Sequence, residues 1–129
     1  MLPIDKLAWI HIHAHRVLCA RSRGRDAFFL PGGKREAGES DEEALRREVR
    51  EELGVTLIGI KKLHVFEAQA HGQPEGVDVR MTCFTAAYAG EPKPGAEIEE
   101  MAWLAYDEKP RLSLAGQLIF DWLRGRELI

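Results

Sequence analysis

The sequence predicts an α/β fold in which a mixed sheet is covered on both sides by helices. Three observations carry this prediction. Apolar runs of strand length recur along most of the chain, two segments carry helical periodicity, and strands lie between those two segments. At 129 residues the chain is expected to form one domain, residues 1–129, with room for a real core; no linker, internal repeat or low-complexity tract divides it.

The first strand is predicted over residues 6–14, KLAWIHIHA, because its residues alternate in character. Ile10, Ile12 and Ala14 fall on one face and read as core; Trp9, His11 and His13 fall on the other. RVLCARS (16–22) is a second strand, SRGRD (22–26) a turn, and AFFL (27–30) a short strand stopped by Pro31, Gly32 and Gly33. Ser40 then opens a helix. With Glu43 it has the capping-box form, in which hydroxyl and carboxylate satisfy orphan backbone N–H groups. Ala44, Leu45, Val49 and Leu53 form its buried stripe, and Gly54 is a natural C-cap. Two long strands follow, 55–70 and 77–89, joined by the polar HGQPEG. A loop rich in Pro and Gly (90–97) leads to a last strand, 101–106, and Pro110 precedes a C-terminal helix over roughly 113–124. Leu114, Leu118 and Trp122, with Ala115, Ile119 and Leu123, give that helix a broad apolar face. Phe66, Phe84 and Trp103 are expected in the core, as is Trp9.

Composition narrows the chemistry. Hydrophobic residues at 45% and charged residues at 30% describe a globular chain and not a disordered one. A net charge of −3 provides no basic footprint for a nucleic-acid polymer, but it leaves room for a small phosphorylated ligand. Cys19 and Cys83 lie in strand-like segments without C-x-x-C spacing and are expected as buried free thiols. MLPIDKLAWI lacks the apolar region and basic flank of a secretory signal, and no apolar run reaches membrane-spanning length, so a cytoplasmic location is expected.

The stretch GGKREAGESDEEALRREVREELGV, residues 32–55, packs eight carboxylates into 24 residues. Glu48 and Glu52 are i,i+4 neighbours, an arrangement that costs a few tenths of a kcal/mol when both are ionised. Either arginines neutralise them or a cation binds there. Asp41, Glu42 and Glu43 need no such account, since acids in a first helical turn favour the dipole, and Arg46 and Arg50 read as solvated helix partners. Glu48, Glu51 and Glu52 instead project from neighbouring turns away from the apolar stripe. Glu39, just before the N-cap, can fold its carboxylate toward the same face. Hard divalent cations such as Mg²⁺ take oxygen ligands of this kind, and a bound ion turns repelling charges into stabilising ones. Lys34, directly after the glycine turn, can reach a phosphate. The His11, His13, His15 series shares a strand face, which invites a zinc reading. No other ligand cluster joins it, so a sheet face lining a substrate pocket is the better expectation.

At this point the stretch resembles the signature of the Nudix hydrolases: Gly, five residues, Glu, seven residues, then Arg-Glu-aliphatic-x-Glu-Glu-x-Gly-aliphatic. Gly33, Glu39, Arg47, Glu48, Val49, Glu51, Glu52, Gly54 and Val55 meet every position over residues 33–55. The resemblance implies an α/β/α sandwich with a mixed central sheet. It also implies hydrolysis of a diphosphate linkage in a nucleoside diphosphate derivative, with Mg²⁺ or Mn²⁺. Carried over, it makes Glu48 and Glu52 metal ligands and Glu51 a ligand or water activator. The Gly33 carbonyl joins the metal shell, and Arg47 becomes the cation that orients the glutamates, Glu39 among them. A further carboxylate from the loop before a late strand is implied, with Glu97 first and Glu100 second. The short chain and FFLPGGKREAGE look closest to MutT-like members acting on nucleoside triphosphates; the partner is then a small nucleotide, and the protein a monomer or homodimer. A nucleotide-sensing domain without catalysis, and an isopentenyl-diphosphate-type isomerase using Cys83, are the alternatives. With phosphates over Gly33 and Lys34, the rest of the ligand is expected on the polar, aromatic face of the first strand, contacting His13 or its neighbour His11.

Overall fold

Leu7, Ala8, Trp9 and Ile10 are all buried, so this part of the first strand has no solvent face, and this decides the layering. The computed structural model describes residues 2–129. In chain order the elements are β1 (Ile4–Trp9), β2 (Ile12–His13), β3 (Arg16–Ser22), β4 (Gly32–Lys34), α1 (Asp41–Leu53), β5 (Thr56–Gln69), β6 (Asp78–Ala89), β7 (Ile98–Leu104), a 3₁₀ turn (Tyr106–Arg111) and α2 (Leu114–Gly125). The main sheet has the order β4-β1-β6-β5. β1 and β6 run parallel, while β4 and β5 pair antiparallel with their neighbours, so the sheet is mixed as expected. A smaller antiparallel sheet, β2-β3-β7, packs beside it.

Each helix covers one set of alternate residues. Leu7, Trp9, Leu18, Leu57 and Phe84 pack with Ala44, Leu45, Val49 and Leu53 of α1. Ala8, Ile10, Val17, Cys19, Phe66 and Cys83 pack with Ile119, Phe120 and Leu123 of α2. The caps of α1 form as expected. The Ser40 hydroxyl accepts from the Glu43 N–H at 3.2 Å, the Glu43 carboxylate accepts from the Ser40 N–H at 2.9 Å, and Gly54 takes the left-handed conformation at φ 71°. Both cysteines are free and buried, and burial pushes their thiols up, to about 12 for Cys83. No described helix is long and apolar enough to cross a membrane.

Several expectations need correction. The first predicted strand breaks after Trp9 and resumes only at Ile12–His13, where Ala14 and His15 at positive φ turn the chain. Trp9 lies on the inner face toward α1 and donates its indole N–H to the Ala86 carbonyl at 3.2 Å, so its face is not the polar one. Residues 27–30 form only isolated bridges, Phe29 to Ala20 and Phe28 to Leu112. Gly32 and Gly33, expected as a turn, instead open the edge strand β4, Gly32–Lys34. A Cβ on Gly32 would lie 1.9 Å from the Leu7 carbonyl oxygen, so glycine is what lets this strand approach β1. The last strand starts at Ile98, not at residue 101. Leu114, Leu118 and Trp103 are partly exposed, so the buried face of α2 is narrower than the sequence suggested and Trp103 is not core.

Candidate active site

The register of β4 against β1 and the capped start of α1 place the acidic helix face beside the Gly32–Gly33 backbone. Glu52 is only 3% exposed. Its carboxylate accepts the Gly32 N–H at 3.0 Å. Burial pushes the Glu52 carboxyl up to about 8, against the pull of that N–H; the nearby charges of Glu48, Glu97 and Glu51 push the same way as burial. Burial likewise raises Glu48, opposed by Arg47. The fit of Glu48 against Gly33 is tight, since a Cβ there would lie 2.6 Å from its carboxyl group.

Arg47 ties this cluster together. Its Nε and Nη2 donate to the two carboxylate oxygens of Glu39 at 2.7 and 2.9 Å, a bidentate pair. Nη1 donates to Glu48 at 3.0 Å, and Nη2 also reaches the Lys34 carbonyl at 3.1 Å. Glu51 and Glu36 each lie 3.6 Å from Nη1. These bonds from Arg47, with the Glu36 N–H, hold the Glu39 carboxyl down at about 2. Glu39 therefore folds back onto α1 as expected, as an ionised strut. The loop before β7 is pinned to the end of α1 by Gly95 N–H to Glu52 O at 2.8 Å and Lys93 N–H to Leu53 O at 3.0 Å. That anchoring brings Glu97 to the cleft lined by Glu48 and Glu52. Glu100 is instead paired with Arg21 at 3.0 Å on the outer surface.

The cleft has a volume of about 530 Å³ and runs from Glu48, Glu52, Glu97, Gly33 and Lys34 across β1 and β6 to the start of α2. Among the described residues no three His, Cys, Asp or Glu side chains form a ready-made metal cage. The donor set still suits a hard divalent cation. Glu48 and Glu52 supply two convergent carboxylates in a site where their own burial penalises unneutralised charge, and such ions ordinarily leave several positions to water and phosphate. Glu51 is exposed at the edge of this group, with Arg47 as its ion-pair partner.

His11 and His13 are not brought to the cleft. His11 stacks on Trp9 at 4.8 Å and meets Tyr88 and Trp103 edge-on, and His13 lies 6.0 Å from the Trp103 ring. Neither histidine lines the cleft that holds Gly33 and Lys34. Cys83 lies in the core beneath α2 and does not line the cleft. Residues the sequence reading passed over do line it: Lys6 on β1, Arg25, Asp26 and Phe29 before β4, and His71 and Gln73 between β5 and β6. Lys6 had one signal, a cation in a strand whose same-face neighbours, Ile4 and Ala8, are apolar.

A family model described as NUDIX domain matches residues 8–123 of the chain. An ADP-ribose pyrophosphatase of Methanocaldococcus jannaschii is 30% identical over 101 residues, covering 78% of this chain and 59% of that protein. An oxidized purine nucleoside triphosphate hydrolase of Danio rerio is 39% identical over 82 residues, covering 61% of this chain and 49% of that protein. The chain thus spans only about half to three fifths of the length of these relatives. Among solved structures, a MutT NUDIX hydrolase from Burkholderia pseudomallei superposes with a TM-score of 0.79 at 26% identity, covering 94% of this chain and 98% of that one.

Proposed function

The chain belongs to the Nudix family, and from that premise we propose that it is a Mg²⁺-dependent hydrolase of a diphosphate linkage in nucleoside diphosphate derivatives, acting as a MutT-like nucleoside triphosphate pyrophosphohydrolase. Nudix hydrolases generally use divalent metal ions. The observation that carries the reading is the buried Glu52 beside Glu48 and Gly33 at one end of an open cleft, with Arg47 and Glu39 bracing them from behind.

In this reading water attacks one phosphorus of the diphosphate, the bridging P–O bond breaks, and a nucleoside triphosphate yields the monophosphate and pyrophosphate. Bound Mg²⁺ supplies charge neutralisation on the phosphate oxygens and an acidified water. Glu48, Glu52 and the Gly33 carbonyl would hold the ion, with Glu97 lining the same cleft. Glu51, exposed at the edge of the cluster, is the group placed to take the proton of the attacking water. Glu39 is a positioning residue: Arg47 holds it ionised, and together they fix Glu48. Lys34 meets the phosphates. The burial of Cys83 supports hydrolysis over the isomerase alternative, which needs a reactive thiol at the substrate.

The test is a panel of nucleoside triphosphates, nucleotide sugars and ADP-ribose incubated with Mg²⁺ and then with Mn²⁺, products being separated by chromatography. Release of pyrophosphate from triphosphates is expected. A folded protein that cleaves no member of the panel with either ion would end this reading.

A further inference from the structure

Within the same cleft, three cations stand without an ion-pair partner among the described residues. Lys6 of β1 and Lys34 of β4 are register partners, so their side chains leave the same face of the sheet directly opposite each other. Like charges in that relation are destabilising. Arg25 also faces the cleft; burial first, then the charges of Lys34 and Arg25, hold the Lys6 ammonium below the ordinary lysine range, against the pull of Glu52 and Glu48. Among the described residues none of these three side chains makes an ion pair. Glu52 and Glu48 attract Lys6 only from beyond ion-pair distance. Glu48 is engaged by Arg47 and Glu52 by the Gly32 N–H, and Asp26 at the rim lies beyond ion-pair distance of all three. Around Lys6 the floor is apolar, formed by Ile4, Val79 and Met81. A half-buried lysine on such a floor, facing a second lysine, is poorly placed unless an anion completes it.

We propose that Lys6, with Lys34 and Arg25, forms an anion subsite that binds a phosphate of the substrate beyond the diphosphate held at the glutamates. The proposal rests on the hydrolase reading above and deepens it by assigning the residues that select a triphosphate over a substrate with two phosphates. A nucleoside triphosphate has a phosphate to place there. ADP-ribose carries only two phosphates, both in the scissile linkage, and would set a neutral sugar against three cations.

Two measurements test this. The first is binding of inorganic tripolyphosphate in EDTA, without metal, by titration calorimetry. Lys6→Met is expected to weaken binding roughly tenfold or more, and Lys6→Arg to retain it within about threefold. The second compares kcat/KM for a nucleoside triphosphate and for ADP-ribose. Lys6→Met is expected to lower the first about tenfold through KM and to leave the second within about twofold. Equal tripolyphosphate binding by wild type and variant, or equal losses on the two substrates, overturns the subsite. If the wild type cleaves neither substrate, the hydrolase reading has failed and the tripolyphosphate titration alone decides the subsite. Should Lys6→Met not fold, Lys6→Gln replaces it in both measurements.

Discussion

The two helices begin alike and are used differently. Each starts at a serine whose hydroxyl accepts the N–H three residues on, Ser40 for α1 and Ser113 for α2, and each packs four or more residues against a sheet face. The buried stripe of α2 is Ala115, Gly116, Ile119, Phe120 and Leu123, with no charge in it. The buried residues of α1 include Glu52. A helix that only holds layers together has no reason to bury a carboxylate. Where one does so beside Glu48, Glu51 and Glu97, local stability is lost, which is the cost expected under the proposed function, in which a ligand supplies positive charge.

Substitutions on the two helices should therefore separate activity from stability. Glu52→Gln keeps the shape and removes the charge, so turnover is expected to fall roughly 100-fold or more while thermal unfolding stays level or moves upward. A variant that retains near-full metal-dependent turnover would remove Glu52 from the site. Phe120→Ala on α2 should show the reverse. About 3–5 kcal/mol of unfolding free energy should disappear, measured by denaturant titration, with kcat and KM of the remaining folded protein unchanged at low temperature. Arg47→Lys lies between these limits. It keeps the charge but not the fork that spans Glu39 and Glu48, and a loss of about 10–100-fold in activity is expected, with a smaller change in unfolding midpoint. The smallest effect is the shared one. Ser40→Ala and Ser113→Ala should each cost about 1 kcal/mol and leave turnover alone. A selective loss of activity in Ser40→Ala would mean that this cap takes part in the chemistry.

The acidic helix was legible in the sequence because its information is local. Capping box, apolar stripe and carboxylate spacing all lie within one run of chain, and a helix converts spacing into direction. The sheet faces were less legible. Alternation in KLAWIHIHA assigns an inside and an outside, but here both faces are covered from Leu7 to Ile10. Trp9 points inward toward α1, and His11 and His13 join an aromatic cluster away from the cleft. Pairing was harder still. Gly32–Gly33 reads as a turn by composition, and only the close approach to β1 that glycine permits makes it a strand. Lys6 escaped notice because its significance comes from a partner 28 positions away in sequence. The sequence ranked Glu97 ahead of Glu100, but what separates them physically is tertiary: the hydrogen bonds that moor the preceding loop to α1, and the pairing of Glu100 with Arg21.

The two sealed thiols give the molecule a practical property. Cys19 and Cys83 are the only cysteines in the chain, and both are buried with their thiols held in the protonated form, so alkylating reagents meet no reactive sulfur while the fold is closed. The native chain is thus a silent background for probe attachment, and Leu118→Cys on the outer surface of α2 would take a single fluorophore or spin label. The same silence makes the unmodified protein its own clock. The rate at which thiol reagent is consumed reports how often the layer between the sheet and α2 opens, and a ligand that closes the fold should slow that rate in proportion to its grip.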